Sequence, residues 1–332
     1  MNQLVLRACG LVVVASLLSG CINLTIDEET AFAPPQQRFD GPAQSVEQLN
    51  ERWAQRNAEA QGQGLVTLEP RGDFTLMTWE QGQRAHGSVP MQQRLVRHGL
   101  TETTSGSIAW SLFTVPDAAG AARPLIVHCA GHAGDRYNSA SAYSNKALPY
   151  GDVLTFDYPG YADSAGTPSA ASMEAASAAV VALAQEMAQG RDIVFWGHSL
   201  GGFVCARLAA DTPGTDGLIL ETTARNADQV ADAWTPWYAR ALVRIDVAPS
   251  LAGYDSAADA ARFGGPVLVL GASEDDTLPV RLARTFAADL TALGAPVTYV
   301  EFDGAGHINV PSHPDFDEVL VPFFASIAQS QP

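Results

Sequence analysis

The chain has 332 residues, 47% hydrophobic and 17% charged, enough for one large α/β domain or two small ones with a substantial core. Nineteen Lys and Arg against 36 Asp and Glu leave a formal charge of −17. An acidic surface without basic clusters argues against nucleic acid as a partner and against electrostatic docking to anionic lipid. The single lysine, Lys146, leaves little room for Ser–Lys or Schiff-base chemistry.

At the N-terminus, Arg7 precedes an apolar stretch over 8–18. That is shorter than the about 20 residues a bilayer span requires, so residues 1–20 read as a secretory signal. The stretch ends in Leu18-Ser19-Gly20-Cys21, a tetrad that resembles the lipobox of bacterial lipoproteins. The resemblance implies a lipidated Cys21 as the first residue of the mature chain. Ile22 stands in place of the Asp associated with inner-membrane retention, which points to the outer membrane, facing the periplasm. An ordinary cleaved signal with an incidental cysteine is the alternative.

Residues 21–43, with Asp27-Glu28-Glu29, Pro34-Pro35 and Gly41-Pro42, read as a polar tether. The stretch 44–90 holds a helix over 45–60, opened by Ser45, and a strand over 74–79. Strands are expected over 91–99, 108–115 and 124–129, the last two joined at Asp117-Ala118-Ala119-Gly120. Strand and helix then alternate: strand 152–157, helix 170–189, strand 193–196, helix 200–210, strand 217–221, strand 266–270, helix 280–293, strand 297–302 and helix 315–329. Antiparallel strands followed by βα units give a mostly parallel sheet with helices on both faces.

The apolar run Ile193-Val194-Phe195-Trp196 breaks into Gly197-His198-Ser199-Leu200-Gly201-Gly202 before a helix-compatible segment. In a strand–turn–helix setting, Gly-x-Ser-x-Gly is a nucleophile elbow. Strained backbone lifts the serine hydroxyl clear of the sheet, with the amide dipoles of the next helix behind it. A serine hydroxyl attacks only with a base in hydrogen-bond reach. His307, in Asp303-Gly304-Ala305-Gly306-His307 after the last strand, is the candidate base, whereas His86, His98 and His313 read as surface residues.

Order and motifs together resemble the α/β-hydrolase superfamily over 91–328, in its serine-aminopeptidase-like and lysophospholipase-like branch. The resemblance implies an eight-stranded, mostly parallel sheet in a hydrolase domain over 91–332, with a small lid insertion at 222–265. The loop Gly271-Ala272-Ser273-Glu274-Asp275-Asp276-Thr277-Leu278-Pro279 resembles the family's acid loop, with Gly271-Ala272 in place of His-Gly. Counting four residues back from the proline selects Asp275, with Asp276 and then Glu221 as alternatives. The oxyanion donors implied are the backbone N–H groups of Leu200 and of His132, the latter in Ala130-Gly131-His132-Ala133-Gly134-Asp135. His128-x-x-x-His132 lies at a strand end and not on a helix, so no metal is assigned. Asp157-Tyr158-Pro159-Gly160-Tyr161 through Pro168 resembles a structural turn of the same branch.

The elbow fold would bring Cys129 near Cys205. Two separately buried thiols are expected, with a disulfide in an oxidising compartment as the alternative. Trp234, Trp237 and Tyr238 in the insertion either line a substrate pocket or pack the lid down. No cofactor is indicated. The expected activity is hydrolysis of carboxylic esters or thioesters through an acyl-enzyme on Ser199, His307 and Asp275, with a small-molecule or lipid-like ester as partner. Peptidase or acyltransferase chemistry on the same residues is an alternative, as is a non-catalytic binding lipoprotein.

Overall fold

Alternation along the strands divides the core into two faces. Leu125, Val127, Phe195, Leu218, Val267 and Val269 pack on one side of the sheet, and Ile126, Val194, Trp196, Ile219 and Leu268 pack on the other. Each such side chain, taken from water to full burial, contributes about 1.5–3 kcal/mol. The computed structural model describes residues 22–85, 89–116, 123–137, 143, 145–235, 238–239 and 242–329. The signal sequence, Cys21, His86, Trp237 and the connection at 117–120 lie outside the described residues.

The first half of the chain forms β1 (Ile22–Ile26), a one-turn α1 (Glu28–Ala31), α2 (Val46–Gly62), β2 (Val66–Arg71), β3 (Phe74–Ala85), β4 (Val89–Thr103), β5 (Gly106–Thr114), β6 (Leu125–Cys129) and β7 (Asp152–Phe156). There follow α3 (Ala170–Ala188), β8 (Ile193–His198), α4 (Leu200–Asp211) and β9 (Thr215–Glu221). The insertion supplies α5 (Ala227–Trp234), β10 (Val243–Val247) and α6 (Ser256–Phe263). The chain closes with β11 (Val267–Ala272), α7 (Arg281–Ala292), β12 (Val297–Phe302) and α8 (Phe316–Gln329). Ser45 caps α2 by accepting the Gln48 N–H at 3.2 Å.

The main sheet runs β12-β11-β9-β8-β6-β7-β5-β4-β3-β2. From β12 to β7 neighbouring strands are parallel, and from β7 to β2 they are antiparallel. Residues of α3, α4, α6 and α7 cover one face, while Trp53 of α2 and Phe316 and Leu320 of α8 cover the other. The sheet has ten strands, not the eight expected, because β3 pairs with β4 and β2 with β3 along the same ladder. The 44–90 stretch is thus continuous with the hydrolase sheet. β2 escaped sequence reading because it is an edge strand with little apolar alternation and a proline, Pro70.

Two further expectations are corrected. Residues 22–43 are not a tether: β1 pairs in parallel with β10 of the insertion, Ile22 opposite Val243 through Ile26 opposite Val247. Ile26 and Phe32 are buried in the core, which is what holds this polar stretch down. The cysteines are not separate thiols either. Cys129 and Cys205 form a disulfide, with Cα atoms 5.9 Å apart, because the start of α4 presses against the end of β6.

A buried ionic cluster surrounds Arg136. Its backbone N–H and Nε donate to the two carboxylate oxygens of Asp157, at 2.6 and 3.1 Å, and its other nitrogens reach Asp163 and the Ser111 hydroxyl. Arg52 also pairs with Asp163. These contacts fix the 157–166 turn, where Ser164 donates to the Asp157 carbonyl and accepts the Ala109 N–H. His98, expected at the surface, is buried here with Nδ1 2.8 Å from Ser111 Oγ, since its strand parity with Arg94 and Val96 turns it inward. Arg136→Met leaves two buried carboxylates without their common partner and is expected to lower unfolding free energy by about 3–5 kcal/mol. Urea unfolding checks this, and a loss near zero would show that the cluster contributes no net stability.

Candidate active site

β6, β8, β9, β11 and β12 are parallel and end on one edge, and the segments just beyond those ends carry His132, Ser199, Thr222, Asp275 and His307. This is the edge at which open α/β sheets present their sites. Ser199 has φ 53° and ψ −120°, a left-handed conformation costly for a residue with a side chain. Surrounding contacts enforce it. The Ser199 N–H donates to the Glu221 carbonyl at 3.0 Å, and the Ser199 carbonyl accepts from Thr223 Oγ1 at 2.8 Å. A Cβ on Gly197 would lie 2.2 Å from the Gly201 carbonyl oxygen, and one on Gly201 would lie 2.0 Å from that of Cys129. Only glycine lets α4 come this close to β6 and β8. Leu200 opens α4, in the turn whose backbone N–H groups have no intrahelical partner.

His307 stands beside this turn. Its Nδ1 lies 2.8 Å from Asp275 Oδ2, and Asp275 Oδ1 accepts the N–H groups of Thr277 at 2.9 Å and Leu278 at 2.7 Å. Asp276, by contrast, is exposed and accepts from the Thr277 hydroxyl at 3.4 Å. With Nδ1–H donated to a carboxylate, the neutral ring leaves Nε2 as its acceptor.

Sequence reading missed what fixes the His307 backbone. The His307 carbonyl accepts from His198 Nε2 at 2.9 Å and from Thr222 Oγ1 at 3.1 Å, and the two imidazole centroids are 5.0 Å apart. The elbow therefore holds the His307 loop directly through the residue preceding Ser199. The signal was a polar residue, His198, in the elbow and Thr222-Thr223 at a strand end.

Glu221 is buried and faces Trp196 Nε1 at 2.9 Å and the Tyr143 hydroxyl at 3.2 Å. Burial pushes its pKa up. Its carboxylate accepts from those two donors, whereas the carboxylate at His307 Nδ1 is that of Asp275. Lys146 Nζ lies 4.7 Å over the Tyr143 ring and 3.5 Å from the Ile308 carbonyl. His128 stacks on Tyr143 at 4.1 Å, whereas His132 Nε2 lies 3.3 Å from the Thr30 carbonyl. The two histidines thus face different surroundings. Among the described residues no group of three or more His, Cys, Asp or Glu is placed to hold a metal ion.

In the insertion, Trp234 Nε1 donates to the Thr277 carbonyl at 2.8 Å, and its ring packs against a small cluster that includes Leu278, Leu282, Val230 and Phe203. Trp234 therefore packs the insertion onto the acid loop. Tyr238 is 61% exposed. Ile308, next to His307, is 73% exposed.

A family profile for the alpha/beta hydrolase fold matches residues 124–252. An uncharacterized protein of Mycobacterium tuberculosis is 30% identical over 258 residues, covering 73% of this chain and 86% of that protein. The chain belongs to the α/β-hydrolase family. Among further relatives, the lysophosphatidylserine lipase ABHD12 of Bos taurus is 34% identical over 123 residues, which are 35% of this chain and 30% of the lipase. The phosphatidylserine lipase ABHD16A of Rattus norvegicus is 30% identical over 49% of this chain and 30% of its own length. The Pyrococcus furiosus esterase Pf2001 superposes with a TM-score of 0.52 at 14% identity, over 70% of this chain and 91% of the esterase, a likeness of fold. Together the family and these relatives support hydrolase activity.

His128 and His198 are held neutral by burial, each with its pKa pushed down to about 3. In the unfolded chain both rings take up a proton near pH 6.5, so the unfolded state gains protons that the folded state refuses. Stability should therefore fall as pH drops from about 6.5 toward 3, by up to about 1.4 kcal/mol per pH unit for each ring. His128→Gln removes one of the two contributions. Urea midpoints followed from about pH 7 to pH 4 are expected to decline less steeply than in the wild type, and parallel slopes would refute the assignment.

Proposed function

We propose that this protein is an exported serine hydrolase that cleaves carboxylic esters with an apolar acyl part through an acyl-enzyme. The observation that carries the reading is the His307–Asp275 pair, 2.8 Å apart, tied through the His307 carbonyl to the elbow that strains Ser199. In the proposed reaction Ser199 Oγ attacks the ester carbonyl carbon while His307 Nε2 takes its proton. Asp275 keeps the imidazole in the productive tautomer and stabilises the imidazolium without taking the proton. The tetrahedral oxyanion is received by the backbone N–H groups of Leu200 and His132, and collapse expels the alcohol with the proton returned by His307. Water, deprotonated by His307, then attacks the acyl-enzyme and frees the acid and Ser199.

An apolar acyl group is favoured by the exposed Ile308 beside the proposed base. The lipase names of the matched relatives support a lipid-like ester. The Cys129–Cys205 disulfide supports an oxidising compartment, in keeping with the lipobox-like Leu18-Ser19-Gly20-Cys21 and anchoring of Cys21 at the outer membrane.

A fluorophosphonate probe should label the wild type and leave Ser199→Ala unlabelled. Asp275→Asn should lower kcat on a p-nitrophenyl ester by about 10³–10⁴-fold, with Asp276→Asn near wild type. A folded wild type that resists the probe would favour a binding protein, and the reverse ranking of the two aspartates would displace Asp275. Anchoring is tested separately: Cys21→Ser should abolish membrane association of the exported protein, and unchanged fractionation would remove the lipoprotein reading.

A further inference from the structure

Residues 22–43 run as a strap from the insertion to the loop after β6. β1 is zipped onto β10, and the Ala248 N–H donates to the Ile26 carbonyl at 2.9 Å. Asp27 caps α1 by accepting the Thr30 N–H, and Phe32 sits buried with its ring edge-on to Tyr254 at 5.9 Å. The strap then meets the loop. The Thr30 carbonyl lies 3.3 Å from His132 Nε2, the Ala33 carbonyl accepts from the Tyr161 hydroxyl at 3.0 Å, and Arg38 Nε lies 3.4 Å from Asp135. Between His132 and Asp135 the loop carries Ala133 at φ 55°, a conformation an alanine holds only under external constraint.

The chemistry of the Thr30–His132 contact is one-sided. A carbonyl only accepts, so the His132 ring must carry its proton on Nε2. Partial burial lowers the His132 pKa and the bond to the Thr30 carbonyl opposes that shift, since the ring donates through Nε2 in either protonation state. The imidazole thus hangs the loop from the strap, on the residue whose backbone N–H is the second oxyanion donor in the catalytic reading above. On the other side the loop is held by the elbow, since a Cβ on Gly131 would lie 2.9 Å from His198 Nδ1.

We propose that residues 22–33 are a positioning strap, and that the Thr30 carbonyl, through the His132 side chain, sets the oxyanion loop against the nucleophile elbow. This rests on the hydrolase reading and adds to it a role for the extreme N-terminus of the folded body. His132 is a positioning residue through its side chain, separate from its backbone N–H. Loosening the strap lowers turnover while substrate binding and the fold persist, because an oxyanion donor acts on the charge that develops in the transition state.

The test uses the full chain and p-nitrophenyl butyrate, with thermal unfolding alongside. His132→Ala should lower kcat by about 10-fold or more with KM within about two-fold, and Tm should stay close to wild type. His132→Gln, whose amide can still donate to the Thr30 carbonyl, should recover most of the lost kcat. Phe32→Ala loosens the strap without touching the loop and should reduce kcat in the same direction. Wild-type kcat in either His132→Ala or Phe32→Ala, or Gln no better than Ala, overturns the strap. If the wild type neither turns over nor takes the fluorophosphonate, the catalytic reading fails and the strap with it. A labelled, active wild type with an indifferent His132→Ala is failure of the strap alone.

Discussion

The close approach of the first turn of α4 to the ends of β6, β8 and β9 is the constraint on which the rest of the site depends. Three glycines make the approach sterically possible: Gly197, Gly201 and Gly202, the last with no room for a Cβ against Thr223. Once α4 is that close, Ser199 has little choice of backbone conformation, and the Cys129–Cys205 bridge falls within bonding distance. The disulfide fastens the strand that leads into the His132 loop to the helix that follows Ser199. Covalent and steric constraints therefore act on the same pair of elements.

A second layer of order is polar and buried. Trp196 and Tyr143 serve the carboxylate of Glu221, and His198 serves the backbone of His307. In a low-dielectric interior such hydrogen bonds are strong, and their unpaired alternatives are costly. His307 is thus positioned from both sides: its ring by Asp275, its main chain by His198 and Thr222. Such double fixation suits the reaction proposed for His307, in which small displacements of a base cost large factors in rate.

The insertion and the N-terminal residues form one unit in space although about 200 residues separate them in sequence. Parallel pairing of β1 with β10 leaves no spacer between Ile22 and the folded body. β1 thus lies against the insertion, whose α5 packs on the 273–279 loop through Trp234. The architecture thereby links the start of the described chain, the insertion and the mouth of the site.

The fold and the chain order of the candidate residues were legible because each rests on local signals. Continuous apolar runs such as Ile193 to Trp196 mark buried strands, and a Gly-x-Ser-x-Gly turn between a strand and a helix marks the elbow whatever surrounds it. What sequence could not decide was anything that depends on distant partners. The polar stretch at 22–43 looked like a tether because its anchors, Ile26 and Phe32, are two residues among many polar ones, and the strand that accepts it lies in the insertion. His98 looked like a surface residue until strand parity and Arg136 placed it inside. The pairing of Cys129 with Cys205 and the hold of His198 on the His307 carbonyl likewise exist only once separate strands are stacked side by side. Local pattern determines which elements form, whereas burial and hydrogen-bond partners are properties of their assembly.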